Sequence, residues 1–161
     1  MMATKLNSMR VLESNKVAYE TREYDPNIHD AVEAAAAMGV PADQVYKTLV
    51  VERANGKPVL VMISADHQLD LKKFAAAISE KKISMAAHAD AEKLTGLKVG
   101  GIGALALVHK HWDIYLDQSA KAHEQICVSA GQRGINLQVP VADLVRVLNA
   151  KLVDASRSEA V

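Results

Sequence analysis

A single cysteine, Cys127, is all that the 161 residues hold, so no disulfide can form within the chain. That fits a reducing compartment. Cys127 lies in the apolar run Ile126-Cys127-Val128, which reads as a strand. A thiol there is a buried, inert packing group rather than a nucleophile. The opening MMATKLNSMR lacks the apolar stretch of a signal peptide, and no window approaches the length of a membrane span. A soluble cytoplasmic protein is the expectation. Excess charge of one sign is missing too, since Lys plus Arg and Asp plus Glu are 19 each. Net charge therefore gives no argument for nucleic acid. No internal repeat or low-complexity linker divides the chain.

What is present is an ordinary globular composition, 50 % apolar and 24 % charged, at about the length of one domain. A single domain over residues 1–154 is expected, with residues 155–161, including Ser156-Arg157-Ser158-Glu159, as a frayed tail. Charge is unevenly spread. Residues 1–45 carry four basic and seven acidic side chains, whereas residues 71–110 carry seven lysines against Glu80, Asp90 and Glu92. A basic middle can meet phosphates, although such runs are more often solvated faces.

The pattern predicts a first helix over residues 4–15, with Leu6, Met9 and Leu12 on one stripe, then a strand over 17–24. Asp30 is an N-cap candidate for an alanine-rich helix that Gly39 closes. Pro41 suits a short helix leading into YKTLVVER, whose Leu49-Val50-Val51 reads as a strand. The turn Ala54-Asn55-Gly56-Lys57 returns it as Val59-Leu60-Val61-Met62-Ile63. Asp70 caps a helix through Ile78, with Lys72 and Lys73 outside. A short strand over 83–86 and a helix over 90–94 stopping at Gly96 follow. Strands are expected at 114–116, 125–130 and 135–139, the last two joined across Gly131-Gln132-Arg133-Gly134. Pro140 starts a final helix through Leu148, with Leu144, Val147 and Leu148 inward. Hairpins outnumber strand-helix alternation, which argues an α+β fold around a mixed, barrel-like sheet with surrounding helices.

Lys47 stands at the mouth of the central hairpin. Either its stem lies over apolar surface while the ammonium reaches water, or the charge is aimed inward at a ligand. Gly101-Ile102-Gly103-Ala104-Leu105-Ala106 matches the spacing G-x-G-x-x-A, but a dinucleotide site needs strand, turn and helix, and β-type sequence follows here. The glycines still offer exposed amides and room for close approach. His109 and His111 share a face if their segment is a strand, yet two imidazoles without a third ligand make a poor zinc site. Ser129 has no His and Asp partner at a recognisable spacing. No metal or cofactor is implied.

Five stretches occur in order: Asp43-Gln44-Val45-Tyr46-Lys47-Thr48-Leu49, Gln68-Leu69-Asp70-Leu71-Lys72-Lys73, Lys81-Lys82-Ile83-Ser84-Met85-Ala86, Thr95-Gly96-Leu97-Lys98-Val99-Gly100-Gly101-Ile102, and Ser129-Ala130-Gly131-Gln132-Arg133-Gly134. Together they resemble the YbaK-type Cys-tRNA(Pro) and Cys-tRNA(Cys) deacylases, relatives of the editing domain inserted in bacterial prolyl-tRNA synthetases. The resemblance covers nearly the whole chain. It implies a pocket for the aminoacylated 3′ end of tRNA, with prolyl-tRNA synthetase as a candidate partner. The family's essential lysine falls on Lys47, and its glycine turn on Gly100, Gly101 and Ile102, whose amides would polarise the ester carbonyl. Lys47 and Gly101 are thus the implied catalytic pair. Tyr24, Ile28, Tyr46 and Thr48 fall where that family lines the amino-acid pocket, and Ser129, Arg133 and Asn136 on its last strand pair.

The implied chemistry uses the substrate's own thiol as nucleophile, which accounts for the missing one in the protein. Departures are also plain. Gly103-Ala104 replaces a common Ser-Pro, Asn136 a common acidic residue, and Ile28 an aromatic near a short loop after Tyr24. Two rivals stay open on those grounds: a non-catalytic module that binds aminoacyl-tRNA or docks on a synthetase, and a deacylase for another amino acid.

Overall fold

The computed structural model of the chain describes residues 5–158. In chain order its elements are α1 (Asn7–Ser14), β1 (Glu20–Glu23), α2 (Ala31–Met38), β2 (Val45–Arg53), β3 (Val59–Ser64), β4 (His67–Leu69), α3 (Leu71–Ala77), β5 (Ile83–Met85), α4 (His88–Thr95), β6 (Ile114–Asp117), β7 (Gln125–Ser129), β8 (Ile135–Pro140), α5 (Val141–Leu148), β9 (Lys151–Val153) and β10 (Ser156–Ser158). Local chemistry sets the helix ends. The Asp30 carboxylate accepts the Glu33 amide at 3.0 Å and Asp70 accepts that of Lys73 at 3.0 Å. Gly39 ends α2 at φ 71° and Gly96 ends α4 at φ 76°, left-handed positions that glycine adopts without a Cβ penalty. The Thr4 start expected for α1 lies outside the described residues.

The main sheet is mixed, in the order β1-β8-β7-β2-β3-β6-β9, with β5 on a second stretch of the β2 edge. It is open rather than closed: β1 and β9 stand at its two ends, so the barrel-like expectation becomes an unclosed sheet. β3 is buried along its whole length, as a central strand covered on both faces must be. One face carries the largest core, where Leu12, Tyr46, Val50, Met62, Ile126, Leu137 and Leu144 pack with α1, α4 and α5. The other face holds Val51, Val61, Ile63 and Phe74 under α3, and Val45, Ala35, Ala65 and Cys127 under α2. No helix among the described residues is long and apolar enough to cross a membrane.

Two segments differ from the sequence expectation. Ser156–Ser158 of the supposed tail form β10, antiparallel to β4, with Ser156 opposite Leu69 and Ser158 opposite His67, while the rest of that tail, 159–161, lies outside the described residues. Its anchor is distant in sequence: the buried Asp117 carboxylate accepts the amides of Ala155 at 2.8 Å and Ser156 at 3.1 Å, and the Ser156 hydroxyl at 3.0 Å. The segment after the glycines is a 3-10 helix, Ala104–Lys110, not a strand. His109 lies inside it and His111 just after it at φ 57°, so they do not share a strand face.

Candidate active site

β2 changes neighbours along its length, and the candidate site lies at the change. It pairs in parallel with β7 only at Val45 and Tyr46, and antiparallel with β5 only from Val51 to Arg53. Between those rungs the edge of β2 is uncovered. The Val45 carbonyl accepts from Ala65 on the β3 side and the Val50 carbonyl accepts from Ala86 on the other side. Since peptide directions alternate along a strand, the Thr48 peptide groups face the gap. A cavity of about 390 Å³ fills it, lined by both faces of β2 from Val45 to Val50 and by residues of α2, α4, β7, β8 and the glycine loop.

Lys47 lines this cavity, half-buried, with Nζ donating to the Ala65 carbonyl at 3.3 Å. Tyr46 and Thr48 line it from the opposite pleat. The Tyr46 hydroxyl is engaged with Ser119 Oγ at 2.8 Å, and burial pushes its phenol up, helped by the Asp117, Asp43 and Asp66 charges against the Ser119 bond. Tyr24 and Asn136 meet across the β1–β8 end of the cavity. Burial raises the Tyr24 phenol, and hydrogen bonds from Gly134 and Asn136 offset part of that rise. Ser129 also lines the wall, its Oγ accepting the Gly131 amide at 3.1 Å. Among the described residues no hydroxyl or thiol of the lining is hydrogen-bonded to a histidine or carboxylate.

Gly100 and Ile102 contribute to the lining, whereas Gly101 faces away. Its amide donates to the Lys98 carbonyl at 2.8 Å, and a Cβ built on it would lie 2.6 Å from the Arg133 amide nitrogen. Gly101 is thus a packing point against the 131–134 turn. Arg133 also stays outside the cavity: its Nε donates to the Val99 carbonyl at 2.6 Å and so ties that turn to the glycine loop. Ile28 is outside as well, its amide closing a turn onto Asp25 at 2.9 Å, and the next residue, His29, takes the place at the wall. His29, His88 and Met85 line the cavity without any sequence pattern to announce them. His29 packs at 3.4 Å from the position of a Gly100 Cβ, contact only a folded chain reveals.

A serine-histidine-aspartate trio does assemble elsewhere, from Ser64, Asp66 and His67. Ser64 Oγ and Asp66 Oδ1 both lie 2.9 Å from the same ring nitrogen, His67 Nδ1. A triad needs the two partners on opposite nitrogens, so this trio cannot relay a proton from the serine. Cys127 is buried and its thiol is pushed up by that burial, with nearby Arg22 only partly compensating.

Residues 25–147 match the model of the aminoacyl-tRNA editing domain. The chain belongs to that family. EbsC of Enterococcus faecalis, provisionally named a Cys-tRNA(Pro)/Cys-tRNA(Cys) deacylase, is 31 % identical over 157 residues, 96 % of this chain and 95 % of that one. Proline–tRNA ligases of Caldicellulosiruptor bescii and Staphylococcus saprophyticus are 26 % and 28 % identical over 71 % and 73 % of this chain. It spans only 19 % and 20 % of those longer enzymes. Among solved structures, the hypothetical protein APE2540 superposes with a TM-score of 0.84 at 22 % identity, over 92 % of this chain and 97 % of that one. A provisionally assigned trans-editing enzyme for prolyl-tRNA synthetase gives 0.81 at 22 % identity, over 97 % and 100 %. At those identities the likeness carries the fold alone.

Proposed function

We propose that this editing domain is a free-standing deacylase that clears mischarged tRNA, Cys-tRNA(Pro) above all, with the aminoacylated 3′ end in the β2 cavity. The observation that carries the reading is the cavity's inventory. It holds a lysine cation at one wall and the glycine loop at another and, among the described residues, no nucleophile paired with a base. A protein so equipped can position an ester and stabilise charge, but the attacking group has to arrive with the substrate. The relationship to EbsC over both chains' lengths supports the same substrate class.

In the step we infer, the cysteinyl thiol attacks its own ester carbonyl carbon. The carbon–oxygen bond to the terminal ribose breaks, the thiol proton passes to the departing oxygen, and a cyclic thiolactone and free tRNA result. The Lys47 ammonium would hold the 3′-terminal phosphate as a compact point charge. The Gly101 amide is already used, so the Gly100 and Ile102 amides are the candidates for the developing oxyanion. Prolyl-tRNA synthetase is the partner that would supply such a substrate.

Deacylation of a panel of mischarged tRNAs tests this. Cysteinyl-tRNA should be cleaved and seryl-tRNA of nearly equal size spared, because a serine hydroxyl is almost wholly protonated at neutral pH. The thiolactone should be trappable, and Cys127→Ser should retain activity. Equal cleavage of cysteinyl and alanyl esters would replace the thiol by an activated water. The second reading, a cavity tuned to another amino acid, would then follow from Asn136, which puts a neutral amide where its relatives' resemblance leads one to expect a charge. Cleavage of none would leave an aminoacyl-tRNA-binding module.

A further inference from the structure

β2 carries main-chain groups that the rest of the fold leaves unused. Its odd-numbered residues bond to β3, as the Ala65 amide on the Val45 carbonyl shows, so its even-numbered residues point the other way. On that side β7 is paired only as far as Tyr46 and β5 only from Val51, which leaves Thr48 between them. Neither the N–H nor the C=O of Thr48 finds a partner among the described residues. The Val50 carbonyl accepts from Ala86 at 3.0 Å, but the Val50 amide has no return bond. Buried main-chain groups are nearly always paired, and Thr48 is only 8 % exposed. The cavity lies along this edge, since consecutive residues from Val45 to Val50, and so both pleats, line it. The same residue adds a side-chain group, for Thr48 Oγ1 is buried and unpaired.

An open strand edge is completed by another extended residue. An aminoacyl ester contains one, with an amine and a carbonyl flanking its α-carbon as in any strand residue. Such a residue can exchange both bonds with Thr48 in the antiparallel sense, or bridge the Thr48 carbonyl and the Val50 amide in the parallel sense. The first sense sets an L side chain on the face of Thr48's own, directly opposite the unpaired hydroxyl. The second sends it to the face of Lys47 and Leu49 and leaves the Thr48 amide and hydroxyl unsatisfied. Adenine also offers a donor beside an acceptor, but its flat ring stays in the plane of those bonds and presents nothing to the hydroxyl.

We propose that the aminoacyl residue of the substrate is held as a single antiparallel rung on Thr48, its amine donating to the Thr48 carbonyl and its ester carbonyl accepting from the Thr48 amide. This rests on the deacylase reading for the identity of the ester. The Thr48 amide thereby joins those of Gly100 and Ile102 as a donor to the carbonyl oxygen. The rung itself is blind to which amino acid it holds, and reception of the side chain falls to the Thr48 hydroxyl opposite. It does read handedness, because a D residue in the same rung carries its side chain away from Thr48.

The test follows amide exchange by nuclear magnetic resonance in the full chain, with non-cleavable adenosine 3′-cysteinylamide as the probe. The saturating L probe should slow exchange of the Thr48 amide at least about tenfold and leave that of Val50 unchanged, while adenosine alone should protect neither. The D-cysteinyl probe and the 3-mercaptopropionyl probe, which lacks the amine, should each bind about tenfold more weakly, the scale of one good hydrogen bond. In Thr48→Val the amide at position 48 should still be protected, because the rung is main chain. Protection of Val50 in place of Thr48, protection by adenosine alone, or equal affinity of the three probes overturns the rung. So does loss of protection in Thr48→Val, which would mean that the side chain holds the ligand. Protection of Thr48 with no tRNA cleaved would uphold the rung and remove the deacylase reading instead.

Discussion

Thr48 on β2 and Asn136 on β8 belong to strands that are not neighbours in the sheet, yet each brings an unpaired buried oxygen to the same cavity. An unpaired buried group weakens a fold, and removing it at constant volume should strengthen it. Thr48→Val is therefore expected to raise the unfolding free energy by about 1 kcal/mol while turnover falls. A denaturant midpoint and a deacylation rate on the same preparation decide it. A loss of stability would show that the hydroxyl is satisfied in solution.

Lys47→Ala should abolish deacylation with little change in stability, because the half-buried stem fills cavity wall rather than close-packed core. Lys47→Arg should also fail largely, since a planar fork does not replace a compact ammonium beside the Ala65 carbonyl. Single-turnover rates with cysteinyl-tRNA check both. Near-native turnover by the alanine variant would take Lys47 out of the mechanism.

Gly101→Ala should damage stability and rate together. Its methyl would meet the backbone of Gln132 and Arg133, which cannot swing aside as a side chain can. Overpacking of this kind costs about 1–3 kcal/mol. Thermal unfolding of the variant is the measurement. Slowed turnover at unchanged stability would return Gly101 to a direct role at the ester.

Asp117 should make the fold acid-sensitive. Burial alone would raise its carboxyl, but hydrogen bonds from Ser119, Ala155 and Ser156 outweigh burial and hold it below the ordinary value. Its contribution is then complete above about pH 4, the unfolded value, and is lost as pH falls through the lower folded one. Urea midpoints from pH 6 to 2 should drop more steeply for the native chain than for Asp117→Asn, which is itself less stable by about 2 kcal/mol at neutral pH. Parallel curves would mean that the carboxylate is not what clasps β10.

Much of this was legible because its causes are local. Asp30, Gly39 and Asp70 act on amides within a few residues, so the ends of α2 and α3 could be read from the sequence. The strand that carries Lys47 was read from its apolar run and the Asn55-Gly56 turn, whereas the role of Lys47 came from the resemblance alone. β10 was not legible: Ser156-Arg157-Ser158 has no apolar pattern, and what holds it is a carboxylate about 39 residues earlier. Ile28 and His29 exchange roles because one turn hydrogen bond decides which of them faces the wall. The state of the Gly101 amide and the orphaned oxygens depend on tertiary packing, which no spacing rule encodes.

Only two rungs, Val45–Cys127 and Tyr46–Val128, join the β1-β8-β7 part of the main sheet to the strands beyond β2. The ladders on either side are longer, six residue pairs for β2–β3 and five for β7–β8. The shortest ladder of the main sheet therefore borders the candidate site. Parting along that seam would widen the cavity without unfolding a helix or moving a lid. Two leaves on a short hinge would then make the width of the entrance an elastic property of the sheet. Amide exchange at Tyr46 and Ser129 faster than at Val61 would be its signature.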